Sequence, residues 1–242
     1  MIAELRQAGE QMWGYYGSKS KIVNKYPEPQ FDRIIEPFAG TSRYALKYYA
    51  HDITISDKDE TIISIWKWLQ QISKEDLLST RTLDNGDSLL NYDWDCKERK
   101  YLMGFLIASG VALSQNAVSS HRTKDYQITQ LKNISENLYK IKDWEILQCD
   151  YTILKNEEAT WFIDPPYQHG GHRYRHNNRK INYPNLKKWC DERYGEVIVC
   201  ENSKATWIPL NPISTLHGSV HDTTECMYYC RKMLELRQAG EP

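Results

Sequence analysis

The chain has 242 residues, 40% of them hydrophobic and 26% charged, with 31 Lys plus Arg against 32 Asp plus Glu and a formal charge of -1. That length suits one α/β domain carrying an inserted module, at roughly 100–200 residues per domain, and is too short for two fused enzymes. The mean hydropathy of -0.68 still leaves enough Ile, Leu, Val and aromatic side chains for a core, which excludes whole-chain disorder; the near-zero charge means that any contact with nucleic acid has to be local.

The heptapeptide Glu-Leu-Arg-Gln-Ala-Gly-Glu at 4–10 recurs letter for letter at 235–241 with no copy between. Two end copies do not make a solenoid. Segments 1–11 and 234–242 therefore read as tags or processing-related extensions, and the fold is expected to begin near Met12. From there Phe31 to Ile35 reads as a strand, Ser42 to Tyr49 as a helix, Ile53 to Ser56 as a strand, and Thr61 to Ile72 as a helix with Ile62, Ile65, Trp66 and Leu69 on one face. The stretch from Glu75 to Lys142 breaks this alternation. Two helical patterns, Lys97 to Leu113 and Gln127 to Ile141, flank a polar linker from Ser114 to Asp125, so 75–142 reads as a helical insertion, a candidate target-recognition region. Met103 to Leu113 is the longest mostly apolar run, but Gly104, Ser109 and Gly110 interrupt it and it is shorter than the roughly 18 residues a membrane helix needs. No charged segment followed by an apolar one opens the chain, which points to the cytoplasm and to no membrane partner.

Beyond the insertion, Glu145 to Leu147 and Thr160 to Ile163 read as short strands, Asn185 to Arg193 as a helix, Val197 to Cys200 as a strand, and Ile213 to Leu216 with Glu225 to Cys230 as an antiparallel pair. Segments 12–74 and 143–233 thus form one α/β domain. Its sheet is Rossmann-like, mostly parallel with a C-terminal antiparallel hairpin. The six cysteines, Cys96, Cys149, Cys190, Cys200, Cys226 and Cys230, contain no Cys-x-x-Cys pair and read as free, mostly buried thiols.

In such a sheet ligands lie at the carboxyl ends of the strands, where strand order reverses. After the first strand comes Glu36-Pro37-Phe38-Ala39-Gly40-Thr41-Ser42, a small-residue turn that lets backbone approach a ligand but is equally a tight strand-to-helix connection. After the second comes Ser56-Asp57-Lys58-Asp59, where an acid at the strand tip can accept from both hydroxyls of a ribose, Asp59 being the better candidate to cap the next helix. The third strand ends in Cys149-Asp150-Tyr151, the fourth in Asp164-Pro165-Pro166-Tyr167. The last is the sharpest signal: two prolines stiffen the backbone and remove two donors, leaving carbonyls and a carboxylate as acceptors beside a flat ring. An acceptor-rich pocket of that kind suits the exocyclic amine of a planar base.

On Tyr15-Tyr16-Gly17-Ser18-Lys19, Glu36-Pro37-Phe38-Ala39-Gly40, Ser56-Asp57, Asp150-Tyr151 and Asp164-Pro165-Pro166-Tyr167, taken in that order over most of 13–230, the chain resembles the Dam-like S-adenosylmethionine-dependent DNA adenine-N6 methyltransferases. The resemblance implies a class I methyltransferase sheet and S-adenosyl-L-methionine as cofactor. It puts Tyr15 and Lys19 beside the cofactor, Lys19 near its methionine carboxylate, Phe38 and Gly40 along its methionine and sulfonium end, Asp57 on the ribose, and Asp150 facing the adenine. Asp164 and Tyr167 would hold the target base, flipped out of double-stranded DNA, with the Pro165 carbonyl as second acceptor and Pro166 completing the catalytic motif. Thr41-Ser42 stand where the family has a more glycine-rich turn.

Candidate DNA contacts follow the motif directly: Arg173, Arg175, Arg179 and Lys180, in a segment with an interleaved tyrosine, could grip phosphates, although a solvated loop would have the same composition. Arg122 and Lys124 in the insertion are a second candidate pair, a plain linker the equal alternative. His217-x3-His221 before Cys226-x3-Cys230 loosely resembles a zinc pattern, but the cysteines fall on a strand and methyl transfer needs no metal, so none is expected. The expected protein is a bacterial or phage-encoded modification enzyme, monomer or weak dimer, with or without a cognate restriction enzyme. The alternatives are a catalytically silent nucleic-acid-binding protein of the same fold, or a methyltransferase acting on cytosine N4 or RNA; Asp164, where those relatives more often have Ser or Asn, favours adenine.

Overall fold

The computed structural model describes residues 12–216 and 222–232; the repeated heptapeptides and the His217 and His221 pair lie outside them. Seven strands form one sheet: β1 (Arg33–Glu36), β2 (Asp52–Asp57), β3 (Glu145–Gln148), β4 (Ala159–Ile163), β5 (Gly195–Asn202), β6 (Asn211–Leu216) and β7 (Thr223–Lys232). Their order is β3-β2-β1-β4-β5-β7-β6. The first five pair in parallel, and β7 runs antiparallel between β5 and β6. This is the Rossmann-like, mostly parallel sheet with a C-terminal antiparallel hairpin that the periodicities predict. Strand order reverses between β1 and β4, which opens a crevice beyond their carboxyl ends.

Alternation along the strands divides two cores. Ile34, Ile53, Ile55, Phe162 and Ile198 belong to one buried cluster; Ile35, Trp161, Ile163, Val197 and Val199 belong to the other. Side chains of period two necessarily point to opposite faces, so β4 and β5, buried throughout, contribute to both. On the second face lies α6 (Tyr183–Asp191), entered through an Asn182 cap and Pro184 at its start, with Leu186 and Trp189 inward.

The first face carries α2 (Glu60–Gln71). Its start is fixed by Asp59, whose carboxylate accepts from the Thr61 amide, and Ile62, Ile65, Trp66 and Leu69 are buried as their spacing demands. Ahead of it α1 (Arg43–Lys47) follows β1. The stretch read as an insertion carries α4 (Lys97–Leu106) and α5 (Lys124–Asn137), with α3 (Lys74–Leu78) across its start, and Leu77, Leu102, Phe105, Leu131 and Ile134 join the same cluster as α2.

Two boundaries in the insertion differ from the periodicity. The pattern from Lys97 to Leu113 predicts one helix, yet α4 ends at Leu106: the chain turns at Gly110, φ 59°, and folds back so that the Gln115 amide donates to the Gly104 carbonyl at 3.1 Å. Glycine at 104 allows this, because a Cβ there would collide with Ser114 and the Gln115 backbone. The second helix starts at Lys124, three residues early, because the Thr123 hydroxyl accepts from the Tyr126 amide and caps it. Its last residues, Leu138–Ile141, tighten into a 3-10 turn. Among the described residues no helix is long and apolar enough to cross a membrane, and the six cysteines are free thiols.

Candidate functional site

A cavity of about 690 Å³ opens at the reversal of strand order, within the 300–1,000 Å³ range typical of sites for small molecules and cofactors. All seven residues expected beside a cofactor line it: Tyr15, Lys19, Phe38, Gly40, Asp57, Asp150 and Asp164.

The turn after β1 is tightly held. Gly40 (φ 45°) and Ser42 (φ 41°) both take left-handed conformations, the second without the freedom of glycine. The Ser42 hydroxyl donates to the Ala39 carbonyl at 3.1 Å. The Gly40 amide donates to Asp57 Oδ2 at 3.1 Å, and the other Asp57 oxygen accepts from the Asp59 amide at 2.9 Å. Asp57 thus ties the tip of β2 to the turn of β1, and burial lifts its carboxyl to about 6 despite those donors. Glu36, the last residue of β1, accepts the Ala45 amide at 2.6 Å, and burial pushes it up to about 8.

At the tip of β3, Asp150 caps a short 3-10 turn. It accepts from the Thr152 amide at 3.1 Å and hydroxyl at 2.8 Å, and pairs with Lys58 at 3.0 Å. Burial opposes its ionisation, but these partners outweigh it and hold the carboxyl below its usual value. The rings of Phe38 and Tyr151 meet nearby with centroids 5.3 Å apart.

The tip of β4 carries the acidic corner. Lys19 Nζ lies 2.8 Å from Asp164 Oδ1, their side chains 7% and 23% exposed. Lys19 also donates to the Gly17 carbonyl at 3.2 Å, and its ammonium sits 4.7 Å from the centre of the Tyr167 ring. Burial works against the Lys19 charge, yet Asp164 and Glu225 hold its pKa above the ordinary value. Asp164 itself is raised to about 6 by burial, with Lys19 restraining the rise, so at neutral pH both partners are ionised. Pro166 reaches the cavity wall and its carbonyl accepts the Tyr183 hydroxyl at 2.6 Å. Pro165 is buried, and Tyr167 stands behind the wall with its hydroxyl donating to Glu225.

The basic segment after the motif folds back as a strap along the cavity, with Tyr174, Arg175, His176 and Lys180 in its lining. Tyr174 lines the cavity, packs on Tyr15 and Tyr16 and donates its hydroxyl to the Tyr16 carbonyl at 2.9 Å. Gly17, φ 75°, leaves room for it, since a Cβ there would overlap the Tyr174 hydroxyl. The Arg173 guanidinium covers the Tyr16 ring at 4.9 Å. Arg175 pairs with Asp59 at 3.3 Å and donates to the Thr61 hydroxyl at 3.2 Å. Lys180 lines the cavity and donates to the Arg175 carbonyl at 3.3 Å, while Arg179 is exposed. In the insertion, Arg122 donates to the Ala108 carbonyl and covers the Tyr126 ring, and Lys124 pairs with Asp84 at 2.7 Å.

Sequence reasoning missed Glu225 and Tyr26, whose hydroxyl donates to Glu225 at 2.6 Å. Glu225 is almost fully buried and reaches the corner from β7, a strand with no site motif; its only trace is an acid among the apolar residues of a strand. Tyr174 was noted as the ring interleaved among the basic residues, but not as a residue of the cavity lining.

Fold and site together define a Rossmann-like α/β protein with an acid at four strand tips, Glu36, Asp57, Asp150 and Asp164, around one cleft. No family model matches the chain, and no curated protein does. Among solved structures it is similar to the Escherichia coli protein described as "Putative methyltransferase yhhF", with 10% identity over 89% of this chain and 80% of that one, at a TM-score of 0.37. Likeness at that level bears on neither activity nor substrate.

Proposed function

We propose that the chain is an S-adenosyl-L-methionine-dependent DNA methyltransferase acting on N6 of a flipped-out adenine. One observation carries the reading: Asp57, Asp150 and Asp164, each at the end of a parallel strand, line a single cavity together with Phe38 and Gly40. The residues present fit the cofactor. Asp57 offers lone pairs to ribose hydroxyls, Asp150 an acceptor to an adenine amine, and Phe38 with Tyr151 an aromatic wall.

When bound, S-adenosyl-L-methionine supplies an electrophilic methyl group, which passes to the amine nitrogen as its bond to sulfur breaks and the electron pair stays on sulfur. Asp164 accepts a hydrogen bond from the amine and returns electron density to a nitrogen otherwise delocalised into the ring. In this reading the second acceptor is a main-chain carbonyl of the motif, that of Pro165; the Pro166 carbonyl accepts from Tyr183. As the nitrogen gains positive charge, the surplus proton leaves to the Asp164 carboxylate and from there to solvent, a transfer suited to a carboxyl near 6. No covalent enzyme intermediate is needed; positioning and charge supply the rate.

Double-stranded DNA is the partner in this reading. Arg173, Arg179 and Lys180 on the strap meet phosphates beside the extruded base. Target recognition falls to the insertion, which abuts the site where the Val111 carbonyl accepts the Tyr16 amide at 3.0 Å. Incubation with tritiated cofactor and DNA, followed by nucleoside analysis, tests the reading: N6-methyladenine is expected, and methylcytosine as the sole product defeats it. Calorimetry with the cofactor alone separates an enzyme from a binding protein that has lost turnover.

A further inference from the structure

One buried acid has no task in that mechanism. Glu225 Oε1 accepts the Tyr26 hydroxyl at 2.6 Å and the Tyr167 hydroxyl, and lies 3.8 Å from Lys19 Nζ, its side chain 3% exposed. It joins the N-terminal segment, the residue closing the Asp-Pro-Pro-Tyr motif, and β7. Two hydroxyl donors require only an acceptor oxygen, which a neutral amide would provide without the cost of burying a charge. The charge therefore calls for a separate account.

Lys19 with Asp164 is a neutral pair; Glu225 makes the group net negative. An amine that gains positive charge during alkylation is repelled by an ammonium beside its acceptor, and a second carboxylate on the far side of that ammonium offsets the repulsion. We propose that Glu225 is a positioning residue that takes up the charge of Lys19 and so keeps Asp164 available to the reacting amine, an inference that rests on the methyl-transfer reading.

The groups facing Asp164 agree. Lys19 and Tyr26 come from the N-terminal segment, Glu225 from β7, Glu36 from β1, Cys200 and Glu201 from β5, Tyr167 from the motif and Tyr174 from the strap. Burial lifts Glu36 to about 8 and the Cys200 thiol and Tyr174 hydroxyl well up, which leaves these three neutral at pH 7, and Glu201 to about 7, which leaves it part-ionised. Lys19 and Glu225 are the charges that act on Asp164 most directly, one lowering and one raising its carboxyl.

Glu225→Gln keeps an acceptor for the tyrosines and removes the charge. Its kcat is expected to fall about tenfold or more with a smaller change in cofactor KM. The acid limb of its rate profile should move to lower pH, because the carboxylate that raises Asp164 most directly is then gone. Carbon-13 NMR titration of the Asp164 carboxyl in substrate-free protein should show the same downward move. A midpoint that stays put overturns the proposal whatever happens to kcat, since a packing role would slow turnover without moving it. A lowered midpoint with undiminished kcat overturns it too. Glu225→Asp, which keeps the charge and shortens the reach to the hydroxyls, covers the case in which the amide variant does not fold: its kcat should stay within roughly threefold of the parent, and a loss as large as that expected of the amide would assign the effect to the hydrogen bonds. Parent protein that methylates no DNA defeats the methyl-transfer reading instead, and the substrate-free titration tells the two failures apart.

Discussion

Asp164 owes its chemistry to where it stands. Free in water its carboxyl would be a poor base; at the end of β4, burial lifts it to about 6 while Lys19 at 2.8 Å keeps it ionised at neutral pH. Protonation removes the acceptor, so turnover is expected to rise through pH 6 and to fall below it, as a pH series of initial rates would record. Asp164→Ala should lower kcat on the order of 10²–10³-fold or more while calorimetric cofactor affinity changes less; retained turnover would remove Asp164 from the mechanism. Ser42 makes a second case. It occupies a left-handed conformation, φ 41°, with its hydroxyl on the Ala39 carbonyl. Ser42→Val removes that bond and puts a β-branched side chain where the backbone least tolerates one, so the urea midpoint should drop by an amount equivalent to about 1–3 kcal/mol. An unchanged midpoint would mean that the turn relaxes. Asp164 and Glu225 mark what was legible and what was not. The Asp-Pro-Pro-Tyr motif is contiguous, and its stiffness and acceptor surplus can be read from four letters. Glu225 meets Tyr26 across 199 positions of sequence only because the sheet closes, and no local pattern encodes that meeting.

Much of the α/β domain was readable from short-range rules: Asp59 caps α2 and short apolar runs mark β4 and β5, whereas α6 starts at Tyr183 behind the Asn182 cap and Pro184, two residues ahead of the expected Asn185. The end of α4 was not readable, since it depends on Gly104 receiving Ser114 from a returning loop. The strap following Tyr167 is the element whose role composition describes least well. Its basic residues suggest a row of equivalent phosphate contacts, but the fold divides them: Arg175 is committed to Asp59 and Thr61, Arg173 lies on the Tyr16 ring, and Arg179 faces solvent. Distinct outcomes follow. Replacing Arg173 and Arg179 together should weaken DNA binding and reduce the slope of log K against log salt by roughly one per residue; an unchanged slope would move the phosphate contacts elsewhere. Arg175→Ala should instead loosen the strap, seen as faster hydrogen exchange at the Tyr174 and Arg175 segment, with a smaller change in salt slope. If Arg175→Ala leaves exchange unaltered, the pair with Asp59 does not hold the strap.

Buried acids gather around the cavity, and their shared direction sets a property of the whole molecule. Burial raises Glu36 to about 8, Glu201 to about 7, and Asp57 and Asp164 to about 6, from 4.5 for glutamate and 3.8 for aspartate. Between those limits the native state binds more protons than the unfolded chain, so stability is greatest at the acid end of this window and declines as pH rises toward 8. His176, lowered mainly by burial, works in the opposite direction through 6.5, one group against four. Asp150, lowered by Thr152 and Lys58 against its burial, acts only below 3.8, and the raised Lys19 acts above 10.5, both outside the window. A formal charge of -1 adds little global repulsion near neutrality. The urea midpoint is therefore expected to be higher at pH 5.5 than at pH 8. Glu36→Gln should flatten the dependence, because an amide reproduces the protonated side chain and can still accept the Ala45 amide at every pH. A midpoint that climbs with pH, or a slope untouched by that substitution, would mean that these carboxyls reach solvent. The sheet would then no longer be holding Asp164 in the partly desolvated state that the proposed methyl transfer assigns to it.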